Sequence, residues 1–213
     1  MARAQTALEE RWNVITHGFG FLVFVVVSIF LWSKAIDSAA PYALVAISVY
    51  CISQLFLYAA STSYHYAKPE KIKWRLRKMD HISIYGSIAG TYTPVCLITL
   101  EQSSGWTILI AVWGVALFGT IWKLFFTGKY EAFSSILYLV MGWMIIWDLS
   151  SLQEAFTDAQ MLWLIAVGIS FSVGIIFYAW NRLYFNHVIW HLFVLGGSLS
   201  HLVMVWLVLQ DSY

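Results

Sequence analysis

A chain of 213 residues with 61% hydrophobic, 18% aromatic and only 11% charged side chains is too apolar for an ordinary water-soluble domain and belongs to the membrane class. A formal net charge of +1 gives no basic balance, which argues against nucleic acid as a partner.

Charged residues divide the chain into seven apolar stretches: Trp12–Ser33, Ser38–Ala67, His81–Leu100, Gln102–Trp122, Ala132–Trp147, Ala159–Asn181 and Leu183–Gln210. Most reach the roughly 20 residues that a spanning helix needs. The first follows Arg3 and Arg11 and precedes Ser38-Ala39-Ala40, in the manner of a signal peptide. Its length, and His17-Gly18 within it, predict an uncleaved first helix instead. Cys51 and Cys96 fall singly in helices two and three, without CxxC spacing, and read as small packing residues that say nothing of redox compartment.

Between helices two and three, Lys68 to Asp80 holds six cations and, besides Asp80, one acid. This reads as a topological anchor on an anionic inner leaflet rather than a partner-binding site. In helix three, Gly86 and Gly90 form a GxxxG spacing that lets a neighbouring helix approach, and Pro94 predicts a kink. The fifth stretch is short, but Leu149–Gln153 extends it past Asp148, which then lies at an interface. Trp12, Trp32, Trp106, Trp122, Trp147 and Trp206 stand near segment ends as interfacial anchors.

The expected fold is therefore all-α, an integral membrane bundle of seven transmembrane helices. With no Pro- or Gly-rich linker or low-complexity run, residues 1–213 read as one domain. Counted from an inside N-terminus, Arg3, Arg11, Lys68, Lys71, Lys73, Arg75, Arg77, Lys78, Lys123, Lys129 and Arg182 all fall on one side, and only Lys34 on the other. The positive-inside rule then puts the N-terminus in the cytosol and the C-terminus outside.

His65, near the end of helix two, and His187 and His191, near the start of helix seven, lie at one depth, with Asp80 at a matching depth. Ionisable groups there are costly and mark function. His187 and His191 share a helix face about 6 Å apart along the axis. Three neutral imidazoles with an open fourth position make the ligand set of a catalytic zinc site. Asp80 can hold a water, accept its proton or orient an imidazole, and Ser61, one turn before His65, can hydrogen-bond water or a polarised carbonyl. Against this stands a plainer reading, in which each histidine hydrogen-bonds a neighbouring helix and Asp80 caps helix three. Spacing alone leaves both open. His201 is about 15 Å further along helix seven than His191 and cannot share its ion. His17 reads as mainly structural, and His81 as a weaker candidate than Asp80.

These residues resemble the bacterial hemolysin III family, within the broader group of progestin and adipoQ receptors. The resemblance covers nearly the whole chain. It is carried by Asn13 with Thr16-His17-Gly18, by Ala60-Ser61 through Tyr64-His65, and by Asp80-His81 with Ile84-Tyr85. Ala89 through Pro94, Asn186 through His191, and His201 complete it. It implies a multi-pass protein of the bacterial inner membrane with zinc near the cytosolic face, held by His65, His187 and His191, with Ser61 and Asp80 beside the metal. Members are variously described as receptors, hydrolases and hemolysins.

Two classes of function follow. One is an intramembrane zinc hydrolase resembling alkaline ceramidases, which takes a membrane lipid amide or ester as substrate while Asp80 shuttles the proton. The other is a non-enzymatic cytolysin or a regulator of membrane state with structural zinc. A transporter ranks last, because no pair of charges lies at mid-membrane to couple ions. Nothing in the sequence names a partner protein.

Overall fold

A computed structural model describes residues 3–212; Met1 and Tyr213, the ends of the expected domain, lie outside the described residues. Within that range the chain is all helix and turn, with no strand.

The first helix, α1 (Ala7–Asp37), starts where Thr6 and Glu9 form a reciprocal capping box, which satisfies two of the free N–H groups that open any helix. Its 31 residues measure roughly 46 Å at about 1.5 Å each, longer than a hydrocarbon core of about 30 Å. Helix α2 (Ala43–Tyr66) ends shortly before Pro69, and α3 (Glu70–Pro94) begins directly after it. Then come α4 (Gly105–Phe126), α5 (Glu131–Trp143), α6 (Leu149–Ala155), α7 (Asp158–Ala179) and α8 (Asn186–Gln210). A second capping box, Thr157 with Gln160, opens α7.

Seven helical segments are long and apolar enough to cross a membrane, with α5 and α6 combining in one span, Glu131–Ala155. The break between them is a 3-10 turn, Met144–Asp148. Asp148 caps α6 by accepting from the Ser151 backbone N–H at 3.3 Å and takes the Ser104 hydroxyl at 2.5 Å. The expected extension past Asp148 is thus present.

Helix three departs from expectation at its start. Asp80 does not open it: the helix begins at Glu70, so Asp80 lies in its third turn and cannot cap it. Lys, Arg and Glu are good helix formers, and their charge limits how far a segment can enter lipid without ending the helix. At the far end, Pro94 cannot donate to the helical ladder, and the chain passes into a π-helical turn, Val95–Thr99.

Each of the first four spans packs on the next, α8 packs on both α1 and α7, and α5 touches α3, α4 and α7 more lightly. The interior mixes large rings such as Tyr50, Tyr58 and Tyr85 with small and polar residues that let them pack, while the exterior is apolar. Phe19, Leu22, Ile29, Ile110, Leu117 and Leu162 are exposed, as lipid-facing residues are. Inside, a Cβ on Gly20 would fall 2.4 Å from the Tyr58 ring, and one on Gly119 2.2 Å from the Tyr85 ring. The GxxxG spacing works at one of its two positions. A Cβ on Gly90 would meet Ser53 Oγ at 1.9 Å, which marks a close α2–α3 approach, whereas Gly86 has nothing within 4 Å. Gln54 ties three helices at the centre, donating to Ser87 Oγ at 2.9 Å and accepting from Ser198 Oγ at 3.4 Å.

Trp12 and Trp106 are exposed near helix ends as anchors should be, and Trp147 is exposed in the 3-10 turn between α5 and α6. Trp122 departs from them. It packs among Phe118, Phe126, Tyr130 and Phe133, and its indole N–H has no partner. Cys51 and Cys96 are buried free thiols within the core, as their isolation suggested.

Candidate metal centre

The last turns of α2 and the first turns of α8 meet at one end of the bundle. His65 therefore comes from one direction, and His187 and His191 from the other. The ring centroids lie 5.1 Å apart for His65–His187, 5.0 Å for His65–His191 and 4.6 Å for His187–His191. One nitrogen from each ring falls within 4.8 Å of the other two, a grouping able to hold a metal ion. A tetrahedral ion held at zinc–nitrogen distances would need nitrogens about 3.4 Å apart, so the three rings would close in on it.

The donor set fits such an ion. Nε2 of His65 and Nε2 of His187 are buried and without a hydrogen-bond partner, which is costly unless something accepts their lone pairs. Three neutral imidazoles suit zinc, copper, iron or nickel better than a hard cation.

A cavity of about 250 Å³ adjoins the cluster. His17, Ser61, Asp80, His187 and His191 line one end, and apolar residues of α3, α5, α7 and α8, among them Ile84, Ile146 and Leu164, line the rest. Ser61 Oγ is buried with no partner, and Asp80 is 7% exposed. Ser61, Asp80, His187 and His191 thus share one cavity wall, and His65 joins the latter two in the three-histidine group. His81 lines the same cavity from a regular stretch of helix, because the cavity is broad enough for neighbouring residues of α3 to share its wall. Its Nδ1 lies 3.5 Å from Glu131. His201 lines the cavity too and packs on Tyr50 at 5.1 Å, outside the three-histidine group.

What the sequence left unassigned is the contribution of α1. His17 stacks on His191 with ring centroids 3.5 Å apart and 15° between the planes, and neither of its nitrogens has a partner. Glu10 Oε2 lies 2.6 Å from His65 Nδ1, and Lys73 Nζ donates to Glu10 Oε1 at 2.7 Å. Thr16 Oγ lies 3.3 Å from His191 Nδ1, and Asn13 Nδ2 3.4 Å from His65 Nδ1. Glu10, Asn13 and His17 recur at helical spacing on one face of α1, a signal present in the sequence.

Among the described residues, seven helices long and apolar enough to span a membrane and a largely buried three-histidine group define a multi-pass membrane protein with a candidate metal centre. Residues 5–202 match the family model described as "Haemolysin-III related", and the chain belongs to that family. It is 43% identical over 194 residues to "Hemolysin-3" of Bacillus cereus, covering 91% of this chain and 89% of that protein. To "Hemolysin-3 homolog" of Bacillus subtilis (strain 168) it is 41% identical over 193 residues, covering 91% of each. A more distant match, 27% identical over 217 residues, is "Monocyte to macrophage differentiation factor" of Homo sapiens, covering 97% of this chain and 87% of that one.

Proposed function

We propose that this chain is a zinc-dependent hydrolase of the bacterial inner membrane that cleaves a lipid amide or ester at the three-histidine centre. The observation that carries the reading is the junction of two features. Three imidazoles, buried at His65 and His191 and half-buried at His187, have nitrogens within 4.8 Å of one another, and the apolar cavity beside them has Ser61 and Asp80 in its wall. A lipid chain fits the apolar part, and the scissile carbonyl then lies at the polar end.

His65, His187 and His191 are the ligands in this reading. Zinc bound there supplies a Lewis acid that polarises a carbonyl and makes water acidic enough to react near neutral pH. Asp80 accepts the proton released from water and returns it to the leaving amine or alcohol. Ser61 donates its hydroxyl hydrogen to the carbonyl oxygen and holds it. Surrounding apolar side chains limit access of bulk water and so strengthen these polar contacts. Eleven of the twelve Lys and Arg residues support placing this end, with the N-terminus, at the cytosolic face.

A second reading is a non-enzymatic hemolysin, as the name of the Bacillus cereus relative suggests, or a membrane regulator, either with structural zinc. The lipid-facing surface argues against a toxin that inserts from water, since Phe19, Leu22, Ile29 and Leu162 are all more than half exposed.

The test is metal content and lipid turnover of purified protein. The wild type is expected to hold about one zinc per chain, and His65→Ala, His187→Ala and His191→Ala each to lose both zinc and turnover. Asp80→Asn and Ser61→Ala are expected to keep zinc and slow turnover, by about 10²–10⁴-fold for Asp80→Asn. Full zinc occupancy after loss of any one histidine ends the ligand assignment. Lysis of liposomes that is unchanged by zinc removal, with no lipid turned over, favours the second reading.

A further inference from the structure

Helix α1 supplies none of the three clustered imidazoles, yet its polar residues contact two of them. A carboxylate only accepts hydrogen bonds, so the ring nitrogen that faces Glu10 at 2.6 Å is the one carrying hydrogen. A neutral imidazole has one N–H, which leaves the lone pair of His65 on Nε2, the buried atom without a partner. Asn13 Nδ2 also approaches His65 Nδ1, as a donor, but at 3.4 Å, much further than Glu10, while it holds Gln5 Oε1 at 2.5 Å. The shorter, charge-assisted contact to Glu10 therefore decides which nitrogen is protonated. Lys73 holds the other carboxylate oxygen at 2.7 Å, so the acceptor is anchored from the far side.

Thr16 acts in the same sense on His191. Its hydroxyl hydrogen goes to a carbonyl of its own helix, Trp12 O at 2.9 Å or Asn13 O at 3.1 Å. The oxygen is then free to accept from His191 Nδ1 at 3.3 Å, and this too leaves Nε2 for a metal.

We infer that Glu10 is a positioning residue for the metal centre: through its contact with His65 Nδ1 it fixes the tautomer and direction of that ligand, with Thr16 a weaker counterpart on His191. The inference rests on the metal-centre reading and adds to it a residue that touches neither ion nor substrate. Groups that hold a ligating imidazole by its second nitrogen typically set metal affinity within a range of about 10–100-fold.

The experiment measures zinc affinity by chelator competition, and the melting temperature of metal-free protein, for the wild type, Glu10→Ala, Glu10→Gln and Lys73→Met. Glu10→Ala is expected to weaken zinc binding by about 10–100-fold. Glu10→Gln, which keeps an accepting oxygen but not the charge, is expected to fall between it and the wild type. Lys73→Met keeps the Glu10–His65 contact and is expected to stay within about threefold of the wild type, well short of the effect of losing the carboxylate. A purely structural brace would instead lower metal-free stability and leave zinc affinity unmoved. Wild-type affinity in both Glu10 variants overturns the inference, as does a loss in Lys73→Met equal to that in Glu10→Ala. If the wild type itself binds no zinc, the metal-centre reading fails and the inference with it. Zinc-loaded wild type with unaffected variants refutes only the inference.

Discussion

Glu9 Oε1 accepts the backbone N–H of Phe185 at 2.9 Å, so a buried carboxylate in the first turn of α1 holds the residue that starts α8. Phe185 has positive φ (58°), a left-handed conformation that a non-glycine residue keeps only when its surroundings hold it there. The same carboxylate pairs with Arg3 and takes the Thr6 N–H at 2.8 Å. His187 stands two residues further on, so the start of the helix that carries two of the clustered histidines is fixed by the neighbour of Glu10.

Replacing Glu9 with Ala leaves the Phe185 N–H without its acceptor and removes the capping box. The expected cost is about 1.5–3 kcal/mol, read as a lower thermal midpoint of the purified protein in detergent. An unchanged midpoint would mean that the contact to Phe185 contributes nothing to stability.

The two glycines of the GxxxG spacing are expected to behave oppositely. Gly90→Ala forces the Cβ into Ser53 and is expected to destabilise the α2–α3 contact by about 1–3 kcal/mol, whereas Gly86→Ala meets open space and leaves the midpoint unchanged or slightly higher. Equal effects at the two positions would contradict the packing described here.

Lys123 is wholly buried and donates to Glu131 Oε2 at 2.6 Å, while Glu131 is 31% exposed at its side chain. Glu131→Gln leaves the ammonium buried beside a neutral amide. It is expected to cost about 1–3 kcal/mol, less than for a fully buried pair because solvent reaches one partner. Lys123→Met is expected to be milder, since Glu131 keeps the Gly128 N–H at 3.0 Å and His81 at 3.5 Å. The comparison is read from thermal midpoints of the two variants, and a larger loss in Lys123→Met would reverse the assignment of which charge needs the other.

Much of the architecture was legible because lipid leaves little choice. A segment of that length and apolarity must satisfy its own backbone, and only a helix does so within one segment. Hydropathy located the spans but not the start of helix three, since it follows the preference for lipid while the ladder runs through Lys71, Arg75 and Lys78. His65, His187 and His191 were found by depth and spacing. Glu10 was not, although it recurs with Asn13 and His17 at helical spacing, because that spacing marks a face of α1 without saying that the face meets α2 and α8.

The amino-acid pattern alone determined seven spans, their order and the shared depth of the three histidines, because burial in lipid and helical rise act along the chain. Only the tertiary arrangement decided that the rings converge, that Gly90 rather than Gly86 lets helices touch, and that Glu10 faces His65 at 2.6 Å. Those outcomes are set by the rotation and crossing of packed helices. In a bilayer these follow from close van der Waals fit and a few interior hydrogen bonds, neither of which leaves a period in the sequence.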